Sequence, residues 1–175
     1  MIASSRSLEF REEMAADIAA VHAVERSAFG RENEANLVDI LRSNGNVLSF
    51  VALLAGQVIG HILYSPVSLD SDGETRSRWL GLAPMAVSPD YQRQGIGSGL
   101  ITYSLRECGD RGFDAVFVLG HPDYYPRFGF FPARRKGFSC EYPVPDEVFM
   151  ARELRPGCLA GYSGVIRYRS EFSSV

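Results

Sequence analysis

The stretch from Leu80 to Leu100, LGLAPMAVSPDYQRQGIGSGL, constrains this chain more than any other. An apolar run, Leu80 to Val87, is followed by a polar connector, a glycine-rich turn from Gly95 to Gly99, and then Leu100, Ile101, Tyr103, Ser104, Leu105 and Cys108 at helical spacing. The order predicts strand, turn and helix. Its glycines fall where a helix leaves its first N–H groups without intrahelical partners, and such donors, backed by the helix dipole, attract a phosphate. Pro84 has no N–H to give a ladder, so it predicts a bulge or an edge within the strand.

Spacing separates three phosphate-binding patterns. A P-loop ends in Gly-Lys-Ser/Thr, which is absent here. A dinucleotide fingerprint wants its glycines directly after the strand, a third one where Leu100 stands, and an acidic residue about 20 positions on. The connector Ser88 to Gln94 is too long for that. What remains is Gln92-Arg93-Gln94-Gly95-Ile96-Gly97 behind a strand ending Ala86-Val87. This resembles the coenzyme A pyrophosphate loop, Q/R-x-x-G-x-G/A, of the GCN5-related N-acetyltransferases (GNAT superfamily). The plainer reading, that the glycines only let a helix pack closely, stands beside it. Tyr125 with Gly129-Phe130 is similar to the Y-x-x-x-G-F element of the same family. Phe149 to Gly157 resembles the tail of a branch of largely uncharacterised bacterial N-acetyltransferases, so the likeness covers nearly the whole chain.

With 175 residues, 46% apolar and 22% charged, the chain suits one soluble domain over residues 1–175. A formal charge of −3 gives no basic patch of the kind nucleic acid requires, and no Lys/Arg-rich run adjoins an apolar helix to suggest a membrane surface. Cys108, Cys140 and Cys158 form no Cys-x-x-Cys pair, and His22, His61 and His121 lie far apart, so neither a disulfide framework nor a metal is expected. Met1 to Arg11 lacks an apolar core of signal-peptide length, and no run of about 18 apolar residues occurs, so the expected location is the cytoplasm. A homodimer is compatible with the sequence.

In chain order, Leu8 to Arg11 is a strand candidate. Met14, Ile18, Val21, Val24 and Ala28 then recur at helical steps, with Glu12, Asp17, Glu25 and Arg26 mostly off that stripe. Gly30 stops this helix, and a second begins around Glu32 or Glu34 with Leu37, Ile40 and Leu41 on one face. Val47 to Leu54 and the alternating Val58 to Ser65 form a hairpin about Ala55-Gly56-Gln57, with Pro66 ending its regular part. Asp70, Asp72, Gly73 and Glu74 suggest a hairpin tip. After the central helix, Ala115 to Leu119 is fully apolar, as a buried strand parallel to the central one requires. Phe138 to Tyr142, Val148 to Leu154 and Gly164 to Tyr168 are later strand candidates.

The resemblance implies an α/β fold of GNAT type: a mixed, mainly antiparallel sheet with a splayed central parallel pair and flanking helices. It implies acetyl transfer from acetyl-CoA to a primary amine of a small molecule or peptide by direct attack in a ternary complex. The amides of Arg93, Gln94, Gly95, Ile96, Gly97 and Ser98, with Gln92 before them, would hold the pyrophosphate. The main chain of Met85, Ala86 and Val87 would run beside pantetheine, with an N–H at the thioester carbonyl. Tyr125 would lie on a short helix facing the sulfur, and a phenol can give a proton to a departing thiolate. Many relatives carry a glutamate on the central or the following strand, but neither Leu80 to Val87 nor Ala115 to Leu119 contains a carboxylate. His121, Glu25 and Glu34 are the candidate bases, with a water chain as the other route. No cysteine occupies a matched position, which disfavours a covalent acetyl-enzyme. The missing carboxylate motivates one alternative, a non-catalytic acyl-CoA-binding or regulatory module.

Overall fold

The computed structural model describes residues 7–70 and 74–175, and of residues 74–77 the backbone alone. Its strands are β1 (Leu8–Glu12), β2 (Leu48–Leu54), β3 (Gln57–Leu69), β4 (Glu74–Val87), β5 (Ala115–Leu119), β6 (Phe131–Pro132), β7 (Phe138–Cys140), β8 (Phe149–Glu153) and β9 (Gly164–Arg167). They pair in the order β1-β2-β3-β4-β5-β8-β6, with β9 joined to β3 and β7. The helices are α1 (Ile18–Phe29), α2 (Asn33–Asn44) and α3 (Ile96–Asp110). β4 and β5 run parallel, while β1/β2, β3/β9, β5/β8 and β6/β8 are antiparallel, which is the mixed sheet expected. The parallel pairing of β7 with β9 was not legible in the sequence. The Asp72-Gly73 tip lies outside the described residues.

The chain divides into two compact units, one holding the residues up to Leu63 with Pro84–Ser104, the other Tyr64–Ala83 with Leu105–Ser174. In the first, α1 buries Val21, Val24 and Glu25, whereas Met14 and Ile18 are 54% and 38% exposed. Residues Ala15–Asp17 form a 3-10 turn before the helix, which shifts its phase and takes Met14 and Ile18 off the buried face. Glu25 therefore lies on the stripe, four residues after Val21, not off it. Asp17 is also buried: its carboxylate accepts from the Arg11 guanidinium at 2.6 and 3.1 Å and from the Met14 amide at 2.8 Å, and Arg11 holds it below its ordinary pKa. In α2, Ala35, Leu37, Val38 and Leu41 are buried, and Ile40, expected on that face, is exposed.

The β2–β3 hairpin turns at Ala55 and Gly56, both at positive φ (50° and 82°), the primed geometry whose twist suits the flanking strands. β3 is buried without a break from Ile59 to Ser65, so the expected alternation is absent. Both of its faces are covered. A Cβ on Gly60 would meet Ala52 at 3.2 Å and Ile96 at 3.6 Å, while the neighbouring His61 contacts Glu25 of α1. Pro66 does not end the strand, which continues to Leu69 and pairs there with β9. A proline is tolerated in a strand where its missing N–H is not called on by a ladder.

The second unit holds the parallel pair. β4 and β5 are in register from Trp79↔Ala115 to Leu82↔Val118, and the pairing ends just before Pro84, although β4 continues to Val87. β4 lies between β3 and β5, so the proline marks the end of a ladder and not a sheet edge. Ala115 to Val118 are all buried, as a strand covered on both faces demands. Around them Trp79, Phe117, Phe138 and Phe149 pack with ring centroids 5.5–5.8 Å apart.

Asp114 ties the start of β5 to both neighbours. Its amide donates to Arg78 O at 2.7 Å, and its carbonyl accepts from the amides of Leu154 and Arg155 at 2.7 and 3.0 Å. Its carboxylate takes two hydrogen bonds from Arg155 (2.9 and 3.2 Å) and two from Arg78 (3.0 and 3.1 Å). Arg155 first, then Arg78, hold the carboxyl below its ordinary value of 3.8 against the opposing effect of burial. The folded-state pKa is the lower one, so the unfolded chain takes the proton first. This stabilisation is complete above about pH 4 and is lost as pH falls through the folded-state value. Asp114→Ala should cost about 1.5–3 kcal/mol near neutral pH, the range for hydrogen bonds to a charged group. Denaturant titrations should also show a shallower loss of stability below pH 4 in the variant than in the parent.

Candidate active site

The glycine-rich turn takes the predicted conformation. Gly95 has φ +82°, and Arg93, also at positive φ (62°), carries its side chain into solvent. The first i→i−4 bond of α3 runs from the Gly99 amide to Gly95 O at 3.0 Å, so the amides before Gly99 precede the helical ladder. The turn is tied back to β4 by Gln92, whose Nε2 donates to Val87 O at 2.9 Å, and to the preceding 3-10 turn by Gln94, which donates to Asp90 O at 3.1 Å. The glycines divide between the two readings of the sequence. A Cβ on Gly99 would stand 2.5 Å from the Phe10 ring, so that glycine serves packing, whereas a Cβ on Gly95 would meet nothing within 4 Å. The space a phosphate group would need is therefore open at Gly95.

Met85, Ala86, Val87 and residues 92–98 all belong to the first unit, and Tyr125 and His121 to the second. Met85 is half-buried, Ala86 and Val87 are buried, and the Ser88 amide donates to Ile59 O at 2.8 Å, holding the end of β4 to β3.

Tyr125 opens a 3-10 turn, Tyr125–Phe128, as the short helix of the Y-x-x-x-G-F element requires. The amides of Tyr124 and Tyr125 donate to His121 O at 3.1 and 3.4 Å, Pro126 occupies the first turn, and Gly129 ends it at φ +85° with its amide on Pro126 O. The ring lies on Gly120, where a Cβ would stand 2.2 Å from Cε2, and meets Phe130 edge-on with centroids 5.5 Å apart. Burial raises the phenol to about 12, with a smaller contribution from Tyr124. Tyr125 is thus held as a neutral donor at any physiological pH. Tyr124 is half-exposed, and its ring carries the Arg127 guanidinium at 4.6 Å from the centroid.

Of the candidate bases, His121 is exposed. Glu34 is paired with Arg31, whose Nε lies 3.1 and 3.0 Å from the two carboxylate oxygens; the pairing lowers its pKa and weakens it as a base. Among the described residues no three His, Cys, Asp or Glu side chains are grouped so as to hold a metal, and no helix is long and apolar enough to cross a membrane.

The acetyltransferase (GNAT) family model matches residues 15–138, well over half of the sequence. This chain belongs to the GNAT family. It is 36% identical over 165 residues to YhbS of Escherichia coli K12, named as an uncharacterised N-acetyltransferase, covering 93% of this chain and 97% of that protein. It is 38% identical over 135 residues to YjhQ of the same strain, covering 75% and 74%. Among solved structures, E. coli YhbS in complex with CoA superposes with a TM-score of 0.91 at 33% identity over 99% of this chain and 96% of that one. A Brucella melitensis GNAT acetyltransferase in complex with acetyl-CoA gives 0.79 at 31% identity over 95% and 99%. The expected fold and acyltransferase class are both met.

Within this GNAT chain, Glu25 is the base candidate whose surroundings differ most from expectation. It is fully buried, with Oε1 at 2.5 Å from His61 Nδ1, and His61 is fully buried too. His61 Nε2 lies 2.8 Å from Ser49 Oγ, Ser49 donates to Glu13 Oε2, and Arg42 donates to Glu13 Oε1 at 2.6 Å. Hydrogen-bond capacity orders the protons along this chain. The single hydroxyl hydrogen of Ser49 goes to Glu13, so His61 Nε2 must carry the hydrogen that Ser49 accepts, and one further proton then lies between His61 Nδ1 and Glu25 Oε1. Glu25 Oε2 is buried without a hydrogen-bond partner. The pair was missed in the sequence because the two residues are far apart in it. The sequence reading put Glu25 off the apolar stripe, and the one local signal that could have marked it as buried is its four-residue step from Val21.

His61→Leu alone strands the Glu25 carboxylate and should cost about 3–5 kcal/mol in denaturant unfolding. Replacing both residues by leucine should recover most of that loss, since an apolar pair needs no desolvation repaid. A double variant no more stable than the single one would show that the pair supplies more than its own mutual satisfaction.

Proposed function

We propose that the chain, acting as one domain over residues 1–175, transfers an acetyl group from acetyl-CoA to a primary amine by direct attack in a ternary complex. The observation that carries this reading is the turn at Gly95. It offers amides ahead of the first helical bond and open space above, at the end of a strand whose parallel pairing stops before Pro84. Two GNAT relatives above 30% identity, solved with CoA and with acetyl-CoA, support the choice of co-substrate.

Acetyl-CoA brings the acyl group already activated as a thioester; the protein supplies binding, orientation and proton management. Amides from Arg93 to Ser98 hold the pyrophosphate with the help of the helix dipole, and Gln92 keeps the turn against β4. The main chain of Met85, Ala86 and Val87 lies along the pantetheine arm and directs an N–H to the thioester oxygen, where charge develops. Tyr125 donates to the departing sulfur. A phenol near 12 gives up its proton less readily than a thiol near 8.5, so it stabilises the developing thiolate mainly as a hydrogen-bond donor. His121, an exposed imidazole next to the turn that carries Tyr125, accepts the proton of the attacking amine. The acceptor is a small-molecule or peptide amine, and no residue is assigned as a covalent acetyl carrier.

Gly97→Asp should sharply weaken CoA binding measured by calorimetry while leaving the unfolding midpoint nearly unchanged, because it sets a carboxylate against the phosphates. Equal affinities would place the coenzyme elsewhere. Tyr125→Phe should lower kcat about 10²-fold or more with little change in CoA affinity, since it deletes one donor and keeps the ring. Tyr124→Phe should remain near the parent rate, and comparable rates for the two variants would reduce Tyr125 to packing. In the parent, ionisation of Tyr125 should cause no loss of kcat at pH 10, where an ordinary phenol is half ionised.

A further inference from the structure

The second unit contains a cavity of about 60 Å3 lined by Leu82, Ala83, Leu119, Tyr142, Tyr168 and Phe172. It begins where the β4–β5 ladder ends, since Leu82 is the last β4 residue paired with β5 and Leu119 is the last residue of β5. The following residue, Gly120, is the shelf on which the Tyr125 ring rests. Tyr168 forms another part of the cavity wall. Its ring fills the space above Gly81, where a Cβ would stand 2.5 Å away, and its hydroxyl is directed to Phe117 O at 3.4 Å. Leu119 of the cavity wall thus directly precedes the glycine on which the ring of the proposed proton donor rests.

Among the described residues no charged side chain lines it. The charged residues next to Tyr142, Tyr168 and Phe172 in sequence are engaged in bonds of their own: Glu141 accepts from the Tyr168 amide at 2.9 Å and pairs with Arg167, and Arg169 pairs with Glu171. A second ammonium group placed here would lose its water without gaining a counter-ion. The volume is also well below the about 150 Å3 that accommodates benzene in an engineered apolar cavity. A short aliphatic group fits both limits.

Position in the chain indicates which substrate brings that group. The glycine turn, β4 and β5 fall inside residues 15–138, the part matched by the family model, whereas the aromatic walls Tyr142, Tyr168 and Phe172 lie beyond it. A shared co-substrate is served by the shared part, and walls outside it suit the substrate that differs between relatives. We propose that this cavity is an acceptor subsite, taking a short aliphatic side chain attached next to the reacting amine. The inference rests on the acetyltransferase reading and adds the class of acceptor.

The test is thiol release from acetyl-CoA with glycinamide, alaninamide, valinamide, leucinamide, phenylalaninamide and 1,4-diaminobutane. The expected result is a kcat/KM for valinamide or leucinamide at least about 10-fold above that for glycinamide, the lower end of what one methylene group contributes in an apolar pocket. Ala83→Leu, which fills the cavity, should remove that preference and leave glycinamide turnover and the KM for acetyl-CoA unchanged. Phe172→Ala, which opens one wall, should move the preference towards phenylalaninamide, and it serves as the reporter if the first variant folds poorly. A flat panel with measurable glycinamide turnover, or a preference for diaminobutane, overturns the subsite. So does an Ala83→Leu variant that slows every amine equally or loses only butyryl transfer from butyryl-CoA, because the cavity would then hold the acyl group. Absence of thiol release with all six amines, in protein that binds acetyl-CoA by calorimetry, overturns acetyl transfer itself and the subsite with it.

Discussion

The rest of the structure depends on the parallel pairing of β4 with β5 and on where it stops. From Trp79 to Leu82 the two strands are bonded, and β5 is buried on both faces among the aromatic rings of the second unit. A parallel pair needs a crossover, and α3 supplies it. The start of that helix is therefore bound to follow the end of β4, which puts the glycine turn at the carboxyl end of a strand. Pro84 stands just past the last paired residue. A residue without an N–H costs nothing at the point where a ladder ends, and the same lack prevents the ladder from being extended.

Charge is used within the two units in different ways. Asp114 lies under two mostly exposed arginines, so its carboxylate is satisfied fourfold while each guanidinium remains partly in water. Burial of the carboxylate opposes that arrangement, and its hydrogen bonds to the two arginines outweigh the opposition. Glu25 and His61 are the contrary case. Both are fully buried, one carboxylate oxygen has no partner, and a row of Ser49, Glu13 and Arg42 is needed to satisfy the far side of the imidazole. Such a pair contributes little net stability over a well-packed apolar one, and its chief physical effect is that one member cannot be changed without the other. Neither Leu80 to Val87 nor Ala115 to Leu119 carries a carboxylate, and Glu25 of the first unit is fully buried against a histidine, closed to solvent.

Much of the fold was legible because its periodicities are local. Five consecutive apolar residues from Ala115 to Leu119 read as a buried strand and form one. The Ala55-Gly56 turn, the Tyr125–Phe128 turn ended by Gly129, and the helix beginning at Ile96 each depend on residues within a few positions of one another. Errors arose where burial is set from a distance. Val58 to Ser65 alternates in sequence, yet it is buried on both faces because Ile96 covers Gly60 and Glu25 covers His61. Met14 and Ile18 match the helical period but lie off the buried face, because a 3-10 turn precedes the helix. Pro66 reads as a stop, and β3 passes through it.

By itself, the sequence determined the strand–turn–helix order at Leu80 to Leu100, while its likeness to the Q/R-x-x-G-x-G/A and Y-x-x-x-G-F elements indicated the coenzyme loop and Tyr125 rather than Tyr124. The order follows from backbone rules acting over a few residues: where a helix leaves donors without partners, where a proline cannot bond, and where a glycine most readily accepts a positive φ. Only the tertiary structure decided that Gly99 faces Phe10 while Gly95 faces open space, that Gly120 supports the ring of Tyr125, and that Glu25 meets His61. It also brought Tyr142, Tyr168 and Phe172 to the end of the β4–β5 ladder. Those facts depend on which surfaces meet when residues tens of positions apart are packed together, and no local pattern records that.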